Sequence, residues 1–386
     1  MEGHEADPPI SASPSETNLA DLLTRQVQRQ PDRVALVEPG PERRSLTWSD
    51  LDQRVSAVGA GLAAHGLVAG HRVALMAPNS TEFVVAYFAV LRAGFVAVPI
   101  NPQLTDTELR AVLRDCGAKV LIGSADPGIP GVHWVPCTPD GLGELVAAGA
   151  APVSSPQDAE TLAALLYTAG TSGEPKAAML THRALLAHLS HLEALDVVDP
   201  DTVVLAMLPL FHVFGLNAVL GSWVGAGARL VIMDGFAGFF EVMNAEQVTN
   251  LPLAPVLLDT IMTDERSAGG LGALSTVISG AAPLPEDLRA AFTERTGLRV
   301  EQGYGLTEAA PGVSATLGGP LLGPGHVGRP LPGVDIKIGD GSDPTEPGEI
   351  AIRGQNLFSG YWPDGREGPD SEGWFRTGDI GYLLDG

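Results

Sequence analysis

Cysteine is scarce: Cys116 and Cys137 are the two present in 386 residues. Neither sits in a CxxC pair, so neither a disulfide framework nor a cysteine-ligated zinc site is expected. Both read as reduced thiols of a cytoplasmic protein. Lysine is scarcer than usual, with only Lys119, Lys176 and Lys337. The balance of 23 basic against 46 acidic residues leaves a formal charge of −23. That excludes a general nucleic-acid surface, which needs clustered Lys and Arg, but not a pocket for one nucleotide. Aromatic residues (5%) and charged residues (18%) are also few. The first residues, MEGHEADPPISASPSE, are acidic and lack an apolar run. They are neither a signal nor a transit peptide, and 1–17 reads as a disordered lead-in. No repeat of 20–50 residues occurs. One stretch, 203–228, runs for 26 residues without formal charge, long enough to cross a bilayer. Pro209, His212, Gly215 and Asn217 interrupt it and basic flanks are missing. A buried loop and helix is expected there.

What is present suits a large globular chain. Hydrophobic residues make up 45%, and 47 glycines and 31 prolines supply turns. The length suggests two or three domains. Short apolar runs alternate with helical spacing: strands at 72–79, 95–101 and 118–124 enclose helices at 80–94 and 108–117. Strands resume at 202–210, 228–233 and 274–280, and a helix ends at Gly297. This alternation predicts parallel βαβ units. The interval 125–157 is rich in Pro, Gly and Ala and reads as irregular surface structure. Beyond about Leu331 the texture turns to short alternating strands, 334–340 and 348–354, which suggest a small barrel-like β subdomain. The expected fold class is α/β: two α/β lobes with mainly parallel sheets, layered αβαβα, plus a small distorted β-barrel. The expected divisions are 18–160, 161–330 and 331–386.

Three segments carry candidate chemistry. The first runs from Tyr167 through Thr168, Ala169, Gly170, Thr171, Ser172, Gly173 and Glu174 to Pro175 and Lys176. Small residues expose backbone N–H groups, which bind anions. Thr168, Thr171 and Ser172 add hydroxyls and Lys176 a charge, so the expected ligand is a polyphosphate. The GxxxxGK[ST] spacing is missing, so this is not a Walker A loop. The second runs from Glu301 and Gln302 through Gly303, Tyr304, Gly305, Leu306 and Thr307 to Glu308. Its glycines let backbone approach a ligand beside an aromatic face, and Glu308 is a hard oxygen donor suited to Mg²⁺. The third, Trp374 to Gly381, holds Asp379 in a Gly-bounded turn that suits a ribose diol. Taken singly, each also reads as an ordinary turn.

Taken together, and with PLFHVFG (209–215), SGAAPL (279–284) and GEIAIRG (348–354), these segments resemble the core motifs of the acyl-adenylate-forming superfamily, in order. The resemblance runs from about Asn18 to the last residue and points to the acyl-CoA synthetase and aryl-CoA ligase type. It implies that Thr168 through Lys176 grip the ATP phosphates. Gly280, Ala281, Ala282 and Pro283 would line the adenine side, with Tyr304 stacked on the ring. Thr307 would touch the α-phosphate, Glu308 with Thr171 would hold Mg²⁺, and Asp379 would take the ribose. His212 would lie beside the reacting carboxylate. Val213, Phe214, Gly280, Gly303, Gly305, Ala310 and Pro311 would complete the acid pocket. Lys176, Thr307, Glu308 and His212 are the implied catalytic residues. ATP, Mg²⁺ and CoA are the implied cofactors, with a carboxylic acid as substrate.

The reaction implied is acyl-AMP formation followed by transfer to a thiol. No acid occurs in Phe211–Phe214, where amino-acid-activating members place an Asp, so an amine-free acid is favoured. Ala177 departs from the family's usual glycine, and its methyl is expected to stiffen or shift the loop. The chain stops about where the family places a hinge, followed by a lid domain with a further lysine. The large domain of a longer protein is therefore expected, binding nucleotide but adenylating slowly. Two rivals stay open: a ligase loading a carrier protein, and a non-catalytic nucleotide- or acyl-binding module. His182, His188 and His191 share one predicted helix; a solvated or core-edge face is favoured over zinc there. Arg229 and Arg353 read as structural.

Overall fold

The computed structural model describes residues 16–146, 156–168, 175–320, 323–341 and 343–384. The predicted alternation forms two large sheets. One has nine strands in the order Arg329–Pro330, Gly312–Ala315, Val300–Gly305, Thr276–Ser279, Asn250–Leu253, Val203–Ala206, Arg229–Ile232, Val34–Glu38, Arg44–Thr47. It is parallel through its middle and antiparallel at both margins. The other has six, in the order His133–Pro136, Val120–Gly123, Arg72–Met76, Val96–Pro99, Leu162–Thr168, Lys176–Thr181. All its pairs are parallel except the last hairpin. Central strands such as VVLA (203–206) and VLIG (120–123) are buried throughout, as strands covered on both faces must be.

The helices between the sheets explain why the lobes form one body. Thr81–Arg92 is apolar nearly all round and buried along its length, which places it in a central layer. Ser80 caps it, its hydroxyl accepting from the Phe83 N–H. Trp48 and Trp223, both fully buried, stack with centroids 5.0 Å apart in the same core. Phe239–Ala245, Pro255–Thr263 and Glu286–Thr296 cover the outer face of the nine-stranded sheet. Asp106–Cys116 covers that of the six-stranded one. The order is thus the expected αβαβα. Val334–Ile338, Gly348–Gly354 and Phe375–Gly381 form a separate three-stranded antiparallel sheet.

Three expectations need correction. The sheets ignore a boundary at 160/161. Residues 34–47 pair into the nine-stranded sheet, whose other strands begin at Val203, while 162–181 complete the six-stranded one. Long-range parallel pairing, not sequence proximity, assigns them. The interval 125–157 is not wholly irregular. His133–Pro136 pairs with Val120–Gly123, and Pro139–Leu145 is a helix capped by Thr138 with proline in its first turn. Edge pairing supplies the order that periodicity did not show. The helical histidines are core residues: His182 and His188 are each 1% exposed and His191 8%. The uncharged run becomes the Val203–Ala206 strand, a π-helical stretch Phe214–Val219 and the helix Leu220–Ala226. Among the described residues no helix is long and apolar enough to cross a membrane.

One close approach yields a stability prediction. A Cβ on Gly61, in the helix Trp48–Ala64, would fall 1.8 Å from the Leu145 carbonyl oxygen. Gly61→Ala must therefore push the Pro139–Leu145 helix away. The expected loss is about 2–4 kcal/mol, read as a lower midpoint in urea at unchanged slope. An unchanged midpoint would show that the two helices separate freely.

Candidate active site

The described ends of the first two motif segments and the PLFHVFG segment lie at the carboxyl ends of strands in the two large sheets, where open α/β sheets place ligands, and the third, on the antiparallel strand Phe375–Gly381, faces the same cleft. Leu162–Thr168 leads into the glycine-rich loop, Val203–Ala206 towards His212, Thr276–Ser279 into Gly280 and Ala281, and Val300–Gly305 into Thr307 and Glu308. Together they line a cleft of about 2240 Å³. Thr168, Lys176, His212, Tyr304, Thr307 and Glu308 all face it. Ala169, Gly170, Thr171, Ser172 and Gly173 lie outside the described residues.

Lys176 opens its strand, and its Nζ donates to Glu367 Oε2 at 2.6 Å while lying 5.2 Å from the Tyr361 ring centroid. Tyr361 in turn donates its hydroxyl to Glu308 Oε1. Lysine, tyrosine and two carboxylates thus form one chain of contacts across the cleft. Glu308 is 8% exposed. Burial, then the Glu308 bond, pushes the Tyr361 phenol pKa up, so it stays a neutral donor. The segment around Glu308 is held from both sides. Asn356 Nδ2 donates to the Ala309 and Gly312 carbonyls at 2.7 and 3.0 Å, and Asn217 Nδ2 to the Ala310 carbonyl at 2.7 Å.

Tyr304 and Asp379 also meet, the phenol donating to Asp379 Oδ2 at 2.6 Å. Burial and this bond raise the Tyr304 pKa. Asp379 is exposed, and Thr377 and Gly378 beside it line the cleft. His212 is accessible in the cleft, and its Nδ1 accepts from the Phe214 N–H at 3.2 Å. Desolvation by the surrounding walls lowers its pKa. Val213, Phe214, Gly280, Gly303, Gly305 and Pro311 line the same space. Gly305 is required by contact: a Cβ there would lie 2.2 Å from the Pro311 carbonyl oxygen.

Other candidates stand back from the cleft. Ala282 and Pro283 are exposed and lead into the Glu286–Thr296 helix. Glu301 pairs with Arg299 at 2.8 Å and accepts from Thr316 Oγ1 at 2.6 Å, while the Gln302 N–H donates to the same hydroxyl. Ala310 is fully buried behind Asn217. Leu306, unlike these, lines the cleft. Arg229 donates to the Glu246 carbonyl, and Arg353 pairs with Asp335.

Sequence reasoning missed Tyr361, Glu367 and Asn79. Asn79 is buried between the sheets. Its Nδ2 donates to the Leu208 and Met233 carbonyls at 2.9 and 3.2 Å, and its Oδ1 accepts from the Leu210 N–H at 3.0 Å. It thereby fixes the segment leading to His212. Only the Gly-Tyr-Trp-Pro wording at 360–363 hints at Tyr361; nothing local marks Glu367 or Asn79.

The buried histidines give a pH prediction. Burial holds His182 at about 4, His188 at about 3 and His191 at about 4, below the ordinary 6.5. The His182 Nδ1 accepts from the Leu19 N–H, so protonation there breaks a bond. The unfolded chain takes up these protons as pH falls through 6.5, and the folded chain does not. Stability is therefore full above 6.5 and declines from 6.5 towards about 4. Thermal midpoints taken from about pH 7.5 down to about pH 5 should fall. A flat profile would mean the rings are hydrated in the folded state.

A cleft with ample room for a nucleotide and a second substrate at strand carboxyl ends, with a lysine, a buried glutamate and a Tyr–Asp pair, fits a nucleotide-dependent ligase. Residues 23–362 match the family model described as AMP-binding enzyme. The chain is 32% identical to 4-coumarate–CoA ligase 5 of Oryza sativa subsp. japonica, over 98% of this chain and 76% of that protein. It is 32% identical to a feruloyl-CoA synthase of Amycolatopsis sp, over 94% and 75%. With a long-chain-fatty-acid–CoA ligase of Bacillus subtilis (strain 168) the figures are 30%, 95% and 74%. Among solved structures, the N-terminal domain of FACL13 from Mycobacterium tuberculosis superposes with a TM-score of 0.86 at 28% identity, covering 95% of this chain and 97% of that one. Apo MatB from Rhodopseudomonas palustris gives 0.86 at 28%, covering 96% and 76%. The chain belongs to the AMP-binding enzyme family, the adenylate-forming acyl- and aryl-CoA ligases.

Proposed function

We propose that this chain binds ATP and an amine-free carboxylic acid, joins them as acyl-AMP with release of pyrophosphate, and serves transfer of the acyl group to CoA. The convergence of Lys176, Tyr304, Thr307, Glu308 and His212 in one cleft carries this reading. In the first step a carboxylate oxygen bonds to the α-phosphorus as the bond to the bridging oxygen of pyrophosphate breaks. In the second, the thiol sulfur bonds to the acyl carbon, AMP leaves, and the thiol proton goes to solvent. Two anions must meet in the first step, so positioning and charge neutralisation carry the catalysis.

The residues divide that work. Lys176 neutralises phosphate charge after leaving Glu367. Tyr304 offers its ring to adenine and Asp379 its carboxylate to the ribose diol. Thr307 donates to the α-phosphate. His212, kept neutral by its surroundings, orients the acid. Val213, Phe214 and Gly280 shape the pocket, where Phe214 and Gly280 lie in contact: a Cβ on Gly280 would sit 2.9 Å from the Phe214 ring. With no carboxylate in Phe211–Phe214, this wall offers nothing to pair with a substrate ammonium. The donor set fits Mg²⁺: Glu308 is a buried carboxylate with one oxygen held by Tyr361. No group of three or more His, Cys, Asp and Glu ligands exists among the described residues. A single carboxylate, with phosphates and water completing the shell, is how Mg²⁺ is usually held. When bound it supplies positive charge to the phosphates.

Titration calorimetry with AMP, then with ATP and Mg²⁺, tests the reading. Saturable binding of both, and acid-dependent exchange of labelled pyrophosphate into ATP, is expected. A folded chain that binds neither nucleotide would overturn it.

A further inference from the structure

We infer that Tyr361 is a positioning residue for the metal-bound nucleotide: its hydroxyl aims the Glu308 carboxylate at Mg²⁺, and its ring keeps Lys176 from collapsing onto that carboxylate. The inference rests on the adenylation reading and adds to it a residue that acts through Glu308 and Lys176.

One side chain meets both groups. The Tyr361 hydroxyl donates to Glu308 Oε1, and the Lys176 ammonium lies 5.2 Å from the centroid of the same ring. Glu308 is buried and lines the cleft. With Oε1 taken, Oε2 is the oxygen left to the cleft: no described residue donates to it, and it is not among the enclosed polar atoms that lack a partner. A bond from a hydroxyl to a carboxylate is charge-assisted, and such outer partners fix the orientation of a ligating carboxylate. Mg²⁺ demands near-ideal geometry, so that orientation matters to it. The Lys176 ammonium pairs with Glu367, and among the described residues it makes no ion pair with Glu308. Opposite charges on one cleft wall attract. Here the ring face takes the ammonium and the ring's hydroxyl takes the carboxylate, so each charge meets Tyr361 rather than the other.

The backbone around the ring is tied to both groups as well. Residues 359–362 run antiparallel beside the strand Lys176–Thr181. The Ser359 N–H donates to the Met179 carbonyl at 2.9 Å, the Met179 N–H to the Gly360 carbonyl at 3.1 Å and the Trp362 N–H to the Ala177 carbonyl at 2.9 Å. Just before them, the Phe358 N–H donates to the Glu308 carbonyl at 2.9 Å. Residues 358–362 therefore join the strand that opens at Lys176 to the turn that carries Glu308. The Phe358 ring packs edge-on against Tyr361, with centroids 5.0 Å apart and an angle of 73°. The turn that follows is closed by the Tyr361 N–H on the Arg366 carbonyl at 2.9 Å. It needs glycine at 360, where φ is +94° and a Cβ would lie 2.1 Å from the Gly365 carbonyl oxygen. The same turn carries Glu367, the ion-pair partner of Lys176.

The test uses Tyr361→Phe, which keeps the ring and removes the hydroxyl. ATP binding to the whole chain is titrated by calorimetry at a series of magnesium chloride concentrations, with AMP and metal-free ATP titrated beside it. The Mg²⁺ concentration that gives half of the full gain in ATP affinity should rise ~10-fold, the scale on which losing the outer partner of a metal ligand acts. AMP and metal-free ATP should bind within ~2-fold of the parent, and excess Mg²⁺ should restore the parent's ATP affinity. Tyr361→Leu removes the ring too and should weaken metal-free ATP by ~3-fold or more, because Lys176 is then drawn to Glu308. Unchanged metal-free ATP binding in Tyr361→Leu would overturn the role of the ring. An unchanged Mg²⁺ requirement in Tyr361→Phe would overturn that of the hydroxyl. Equal losses of AMP and Mg²⁺–ATP binding that added Mg²⁺ does not reverse would make Tyr361 a scaffold residue and overturn the inference, while AMP binding by the parent upholds the adenylation reading. A parent chain that binds neither nucleotide would overturn both.

Discussion

Glu308→Gln should weaken binding of Mg²⁺–ATP by ~10- to 100-fold and leave AMP affinity within about threefold of the original. The argument is one of charge. Glu308 is buried, and one of its oxygens is already satisfied by the Tyr361 hydroxyl. Gln keeps the size and retains a carbonyl oxygen for that bond, so the segment held by Asn217 and Asn356 stays in place. It removes the negative charge, which is what a hard divalent cation requires. AMP lacks the β- and γ-phosphates that share the cation, so it is the control. Calorimetric titration of both nucleotides, with and without Mg²⁺, separates the cases. Equal losses for AMP and Mg²⁺–ATP would assign Glu308 to the scaffold. No loss for either would remove it from metal binding.

Asp379→Ala should behave differently, weakening AMP and ATP alike by ~10- to 100-fold, because the ribose is common to both. Two hydrogen bonds from a diol to a carboxylate are charge-assisted, each worth about 1.5–3 kcal/mol in a favourable case. Exposure of Asp379 argues for the lower part of the range. The carboxylate also accepts from Tyr304. Its loss frees the phenol, so the Tyr304 ring is expected to be less well placed for adenine. Asp379→Asn separates the two effects: the amide oxygen can keep the Tyr304 bond while the charge is gone. If Asp379→Asn binds AMP as well as the parent, the carboxylate does not hold the ribose.

Both residues are legible in the amino-acid sequence, because their chemistry is local. Glu308 follows a glycine-flanked tyrosine, and Asp379 sits in a Gly-bounded turn. Lys176 stands out because lysine is so rare in this chain. The helix Thr81–Arg92 and the strands around it are legible from periodicity, for the same local reason. The strand His133–Pro136 is not, since four residues at a sheet edge carry too little pattern and are ordered only by pairing with Val120–Gly123. Nor is the reach of residues 34–47 across to the strand Arg229–Ile232.

The sequence by itself determined the α/β class, the parallel βαβ units and the order of the motif segments, while the αβαβα layering was implied by the family resemblance. The first three depend on hydrophobic spacing, on turn-forming glycine and proline, and on residue types whose chemistry is short-ranged. Tertiary structure alone decided the partners. Lys176 meets Glu367 across 191 positions and Glu308 meets Tyr361 across 53. Asn79 ties the two lobes together beneath His212. His188, one of three histidines on an ordinary-looking helix, became a buried ring in the cleft wall. The physical reason is the same in each case. Burial, protonation state and hydrogen-bond partner are set by atoms brought close by the packing of distant strands, and no window of sequence contains them.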